Sequence, residues 1–226
     1  MIDRKKRDKL TATIQKYLND EIGSFEFDEL IFDISINSED ETIIYIVNTL
    51  WYFYDDVKDH KVLFTKEEWD YVQRLLLILN SDKEIIKKEE KEYTVRQVLS
   101  LVLLIIFIIS FFYLGYTFNL LLVSVGLGLL SMLINYWKSK SINKKTNDIK
   151  WELEPFSSIS ELLILRRNQN TFKKSYYRKM LKKRKIRSTF TTYIMHIHSR
   201  LSWLVFSPFV LLYQSFPEKT HKIKIK

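Results

Sequence analysis

The sequence predicts an all-α membrane protein. The expected parts are a cytoplasmic helical bundle over residues 1–95, a transmembrane helical hairpin over 96–137, and a basic cytoplasmic or interfacial helical region over 138–226. Three observations carry this. Val98 to Trp137 is a run of 40 residues without Asp, Glu, Lys, Arg or His. The residues before it show apolar positions three to four apart, with Gly23 as the only glycine and no proline. The residues after it are strongly basic.

The front part divides into helices. A first covers about Asp3–Asn19. A second, Phe25–Ile34, carries Phe25, Phe27, Leu30 and Ile31. Ser38 precedes a helix whose apolar residues Ile43, Val47, Leu50, Trp51 and Tyr54 recur at helical spacing. Thr65-Lys66-Glu67-Glu68 reads as a capping box that starts a helix carrying Trp69, Val72, Leu75, Leu76 and Leu79. Ser81-Asp82-Lys83-Glu84 repeats the pattern, so a charged helix is expected to run unbroken into the first span as a rigid stalk. Such helices can pack as a bundle of about 80 residues, near the lower size limit of stable domains.

The hairpin follows from length. Val98–Leu114 and Phe118–Trp137 supply 17 and 20 residues, and about 20 helical residues span a bilayer core about 30 Å thick. Arg96 can snorkel to lengthen the first span. Gly115-Tyr116-Thr117 leaves room for a tight turn. Phe111, Phe112, Tyr113, Tyr116 and Phe118 cluster there, and Tyr136 and Trp137 sit at the exit, the depths that amphipathic rings favour. A 226-residue chain has too little other apolar material to wrap this hairpin as a soluble core. The turn carries no Lys or Arg, whereas Lys91, Arg96, Lys138, Lys140, Lys144 and Lys145 flank the spans. Positive residues stay inside, so both termini are expected in the cytoplasm. Ser124 and Gly128 form a small-xxx-small pair suited to close helix packing, against the first span or against a second copy.

The formal charge of +9 conceals a split. Residues 1–137 hold 15 Lys/Arg and 22 Asp/Glu, net −7; residues 138–226 hold 21 and 5, net +16. The two parts suit different partners, or each other. No cysteine is present, so disulfides and thiolate metal sites are excluded.

Within the basic region, Pro155 precedes a short helix capped by Ser158 with Glu161 three later, carrying Leu162, Leu163 and Leu165. Arg166–Arg187 holds 11 Lys/Arg and no acid, interleaved with Phe172, Tyr176, Tyr177, Met180, Leu181 and Ile186. Arg178, Lys179, Lys182, Lys183, Arg184, Lys185 and Arg187 are candidate contacts for anionic lipid headgroups. Nucleic acid and an internal or partner acidic surface are the competing polyanions, nucleic acid being the less expected. His196 and His198 diverge on a helix and lack further metal ligands. Leu201–Phe216, with Pro208 inside it, is short for a span and is expected to lie in the interface or re-enter it.

The most suggestive constellation is Trp51-Tyr52-Phe53-Tyr54-Asp55-Asp56-Val57-Lys58-Asp59-His60. If helical, it puts Asp55 with Asp59, and Asp56 with His60, on shared faces. Trp51, Tyr54, Asp55, Asp56, Asp59 and His60 are thus candidates for partner binding. Asp55, Asp59 and His60 are also possible ligands for a divalent cation. The plainer reading is pairing with Lys58, Lys61 or Arg74 at a solvated helix end. No nucleophile constellation, Gly-rich phosphate loop or second metal spacing accompanies them, and no cofactor is expected.

Two stretches resemble those of uncharacterised bacterial two-span membrane proteins with a helical N-terminal domain. One runs from Leu50-Trp51 through Tyr54-Asp55-Asp56, Asp59-His60, Trp69-Asp70 and Arg74-Leu75-Leu76 to Ser81-Asp82. The other comprises Pro155-Phe156, Phe172-Lys173 and Ser207-Pro208 to Pro217. The resemblance implies one coherent bacterial inner-membrane protein and no chemistry. The expected function is an anchor that binds a protein partner, with homo-oligomers possible. The alternatives are a metal-dependent membrane-associated enzyme using Asp55, Asp56, Asp59 and His60, and an oligomeric membrane-perturbing protein of defence or toxin type.

Overall fold

The computed structural model describes residues 2–36, 38–146 and 153–226, and the side chains of all but 138–146 and 218–220 among them. The described residues are mostly helical, with one small sheet. They form two compact units. Unit 1 comprises Met1–Lys88, Ile149–Ile186 and Lys222–Lys226; unit 2 comprises Glu89–Asp148 and Arg187–His221. The basic 138–226 region is therefore not one body, because its segments join the acidic and the apolar parts in turn.

Unit 1 is built on helices α1 (Arg4–Leu18), α2 (Ser24–Ser35), α3 (Glu41–Leu50) and α4 (Lys66–Leu79). Each start has a visible cause. Asp3 accepts from the Lys6 amide at 2.9 Å, and Asp40 accepts from the Thr42 amide at 3.0 Å. Around Thr65 both bonds of the capping box form, Thr65 N–H to Glu68 at 2.7 Å and Glu68 N–H to Thr65 Oγ1 at 3.2 Å, worth about 1 kcal/mol. Helix α4 is the centre of the core. Trp69, Val72, Leu75, Leu76 and Leu79 are buried against Leu10, Ile14 and Tyr17 of α1, Phe27 and Ile31 of α2, and Ile43, Ile46 and Leu50 of α3.

A buried ion pair fastens the helices to each other. Arg7 and Asp40 are both sealed from solvent and meet in a two-pronged bond, Nε to Oδ2 at 2.6 Å and Nη2 to Oδ1 at 3.0 Å. Arg7 Nη1 also donates to the carbonyls of Ser81 and Lys83. Burial is the largest influence on Asp40 and opposes its ionisation. The Arg7 bond and the amides of Asp3 and Thr42 outweigh it and hold the carboxyl below the usual carboxylate range.

The chain after α4 corrects the expected stalk. Ile85–Glu92 is a strand, β1, paired with β2 (Glu218–Ile225) at the far end of the chain. Glu84 and Lys226 exchange both backbone bonds, at 3.2 and 2.9 Å, so the strands are antiparallel. Ile85 is buried, and Ile223 and Ile225 pack beside it on the core. Ser81 bonds back to Ile78 and receives the Lys83 amide instead of capping a new helix.

The rest of unit 1 is a helix, α7 (Ile159–Asn168), and an extended strap from Gln169 to Ile186 broken by a short 3-10 turn at Lys179–Lys183. Ser158 caps α7 through the Glu161 amide, as its sequence indicates.

Unit 2 holds α5 (Val95–Leu114), α6 (Phe118–Thr146), α8 (Thr189–Val205) and α9 (Ser207–Ser215). Val95–Leu114 and Phe118–Trp137 are long and apolar enough to cross a membrane. Only 17% and 33% of these windows are buried within the chain. Gly115 turns the chain between them at φ +58°. Helix α9 packs along α5 and α6. Ser207 meets Ser124 and Gln214 meets Ser131, at the same seven-residue spacing, so α9 runs parallel to α6. Leu211 is fully buried with Leu103, Leu127 and Ile134. Pro208 stands in the first turn of α9, where its missing N–H costs nothing.

Candidate functional site

The segment that looked most chemical, Trp51 to His60, is shaped by where α3 stops. The helix ends at Leu50, and Trp51–Phe53 is one 3-10 turn. Trp51 and Tyr54 therefore leave the helical face on which the spacing placed them. Phe53 turns inward against Phe64 and Tyr71. Tyr54 stacks edge-on over Phe27, and its hydroxyl donates to Asp28. Burial foremost, and then that bond, push the Tyr54 hydroxyl up from its ordinary value. Trp51 and Tyr52 face outward, 52% and 77% exposed.

Asp55 to His60 is a loop, so the expected helical pairing of Asp55 with Asp59 and of Asp56 with His60 does not form. The loop closes α2 from outside. Helix α2 begins at Gly23, which has no capping side chain. Asp59 supplies one from 34 residues away, accepting from Phe25 N–H at 3.2 Å and from Ser24 Oγ at 3.1 Å. The Phe25 amide foremost holds this carboxyl below the usual range. A Cβ at position 23 would lie 2.5 Å from Asp59 Oδ1, which explains the glycine. Asp55 accepts from the Val57 and Lys58 amides. His60 Nε2 accepts from Asp55 N–H, so Nδ1 carries the proton toward the Lys61 carbonyl, 2.7 Å away. Both ring nitrogens are thus engaged with backbone. Among the described residues no three His, Asp or Glu side chains are placed to hold a metal ion. Asp59 thus faces the positive end of α2, the opposite of the C-terminal placement that the sequence suggested.

Beside this loop α2 and α3 leave an open groove of about 480 Å³. Phe32, Val47 and Trp51 form its apolar lining, with Asp28, Ser35 and Asn48 at its polar positions and Tyr54 at one side. Phe32 is 60% exposed. Phe32 was not among the sequence candidates.

The basic segment is partly consumed within unit 1. Arg178 and Arg184 converge on Asp20, with Arg184 donating through Nη1 at 2.7 Å and Nη2 at 2.8 Å, and Arg178 Nη2 lying 3.0 Å away. Arg178 also donates to the Leu18 carbonyl and Arg184 to that of Val62. These two side chains anchor the strap. Arg184 foremost holds Asp20 below the usual carboxylate range. Asp20 sits just past α1 at φ +64°, a left-handed position usually taken by Gly and costing other residues about 1–2 kcal/mol. The ion pairs account for an aspartate there. Trp69 Nε1 donates to the Ser175 carbonyl, and Ser175 N–H donates to Gln73, so one turn of α4 grips the strap backbone. Lys174 pairs with Asp70 at 3.0 Å. Lys179, Lys182, Lys183 and Lys185 are exposed and lie at the strap's end before Arg187 and α8.

In unit 2, Ser124 and Gly128 do pack helices, but against the junction of α8 and α9. Ser124 Oγ donates to the Val205 carbonyl at 3.1 Å. A Cβ on Gly128 would lie 2.9 Å from Leu204 Cα. Ser131 receives Trp203 Nε1 at 3.1 Å and donates to Gln214. The flanking Lys138, Lys140, Lys144 and Lys145 have side chains outside the described residues.

No family model, no curated protein and no solved structure matches this chain.

Proposed function

We propose that this chain is an anchor of the bacterial inner membrane that presents unit 1 on the cytoplasmic face as the recognition domain for a protein partner. The observation that carries the reading is the contrast between the units. Unit 2 leaves the apolar sides of two 20-residue helices uncovered, for example Ile105, Ile109, Leu122 and Leu133 at 47–54% exposed. That is far more uncovered apolar surface than soluble monomers carry. Unit 1 closes its own core and keeps one aromatic groove open.

The chain links support a single orientation. Helices α5 and α6 leave unit 1 and return to it, and so do α8 and α9. Lys or Arg stands near each link: Lys91 and Arg96 (there among glutamates), Lys138 to Lys145, Lys182 to Arg187, and Lys222 with Lys224. The distal turn has no charge. Positive residues remain cytoplasmic, and each near an anionic leaflet contributes about 1 kcal/mol. In this orientation α8 and α9 form a re-entrant element whose break at Phe206 lies within the apolar layer, where Ser124 supplies a donor for the Val205 carbonyl.

The absence of cysteine makes topology directly testable. Single-cysteine variants at Tyr116, Trp51 and Lys182 are exposed to a membrane-impermeant maleimide in intact bacterial cells. Tyr116→Cys labels at once, and the other two label only after permeabilisation. Labelling of Trp51→Cys in intact cells, or recovery of the chain in the soluble fraction, overturns the reading.

A further inference from the structure

We infer that the α2–α3 groove receives an amphipathic helix of a partner protein, bearing apolar anchors on one face and Lys/Arg beside them. This rests on the reading of unit 1 as a recognition domain and names the partner's chemistry.

The walls define the shape of the occupant. Helix α2 has 12 residues and α3 has 10, so the groove runs about 15–18 Å. That length matches two to three turns of an incoming helix, with anchors at i, i+3 or i+4, and i+7. Phe32 stands exposed at one wall and Trp51 at the other. Both walls are helices whose backbone groups bond internally. No free sheet edge lines the groove, so an entering segment must satisfy its own backbone, and a helix does so.

Charge sets the other requirement. From Tyr17 to Val57 there is no Lys, Arg or His in 41 residues, against 11 Asp and Glu. This stretch contains both walls. Asp20 and Asp40 are taken up by arginines, and Asp28 within the groove accepts from the Tyr54 hydroxyl. An acidic helix would meet like charge from Asp28 in the groove and from the other acids of α2, Glu26, Glu29 and Asp33, whereas a basic one is steered and selected.

The probe is a fluorescein-labelled 18-residue helix of Leu and Lys with apolar positions three and four apart. Its partner control replaces every Lys by Glu. Both are titrated by anisotropy against the full chain in phosphatidylcholine nanodiscs, with empty nanodiscs subtracted. The Lys probe binds, the Glu probe does not, and raising salt from about 50 to 300 mM weakens binding severalfold. Trp51→Ala weakens binding about tenfold or more, as a central aromatic anchor should. Asn48→Arg, at an exposed groove position that folding does not need, abolishes it. Equal binding by the Glu probe, unchanged binding to Asn48→Arg, or displacement of the probe by unlabelled copies of the chain overturns the inference; displacement would make a second copy the occupant. None of these outcomes alters the maleimide pattern, so the inference can fail while the anchored orientation stands.

Discussion

Replacing Arg7 by Met tests the buried fork that joins α1 to the start of α3. Met fills similar volume but cannot neutralise Asp40, which is 2% exposed. The carboxylate keeps the amides of Asp3 and Thr42 and loses both guanidinium bonds. Removing one member of a buried pair costs about 3–5 kcal/mol, against a whole-domain stability of about 5–15 kcal/mol. Near this size each kcal/mol moves Tm by roughly 3–5 °C, so unit 1 should melt about 10–20 °C lower, by circular dichroism of the full chain in nanodiscs. The pH dependence should change sign. In the parent, Asp40 lies below its unfolded value, so its contribution is present above about pH 4 and is lost as pH falls further. In Arg7→Met, burial acts with less opposition and raises Asp40, so lowering pH from 7 toward 5 should stabilise the variant. Asp40→Asn added to it removes the stranded charge, keeps an acceptor for the Thr42 amide, and should recover about 2 kcal/mol. A loss below about 1 kcal/mol for Arg7→Met, typical of exposed pairs, would refute the argument by showing that water reaches the site.

Other perturbations probe the remaining joints. Asp20→Asn tolerates the left-handed backbone but releases Arg178 and Arg184. Trypsin should then cut faster between Lys182 and Arg187, and the stability that the parent loses below about pH 4 at this site should be missing throughout. Gly23→Ala drives a methyl toward Asp59 and should cost about 1–2 kcal/mol; Asp59→Ala should cost a similar amount, and the double variant little more than either in thermal melts. Ser124→Cys with Ser207→Cys, whose hydroxyl oxygens lie 3.0 Å apart in the parent, should form a disulfide rapidly, and Gly128→Leu should abolish it.

What the sequence revealed depended on how far apart the interacting residues stand. The Thr65–Glu68 box and the Ser158 cap involve residues three apart, and both form. Ile85–Glu92 reads as helix by composition, but its pairing partner begins more than 100 residues later, and no local signal announces it. Asp59 fits the same pattern: its carboxylate looked misplaced at the end of one helix because it caps another, at Gly23. The charge split left open whether front and back serve different partners or attract each other, and Asp20 with Arg178 and Arg184 is one contact of the second kind. Which arginines turn inward follows from Leu181 and Tyr177 packing on the core between them, a pattern hidden in a run where nearly half the residues are basic.

The small-residue face of α6 bears on self-assembly. Ser124, Gly128 and Ser131 offered either a neighbouring helix or a second copy a close approach. In the folded chain the face is filled: Leu204 stands where a Gly128 side chain would be, and Ser124 and Ser131 bond to Val205, Ser207, Trp203 and Gln214. A second copy could use it only after α8 and α9 leave, stranding the Val205 carbonyl and the Trp203 indole in an apolar layer, at about 1–3 kcal/mol for each unmet polar group. Pore formation through this stripe therefore competes with the chain's own fold. An oligomer of unit 2 compatible with that fold would instead use outward apolar residues such as Ile105 and Ile109 of α5 or Leu122 and Leu133 of α6, side chains with no polar group to direct a partner.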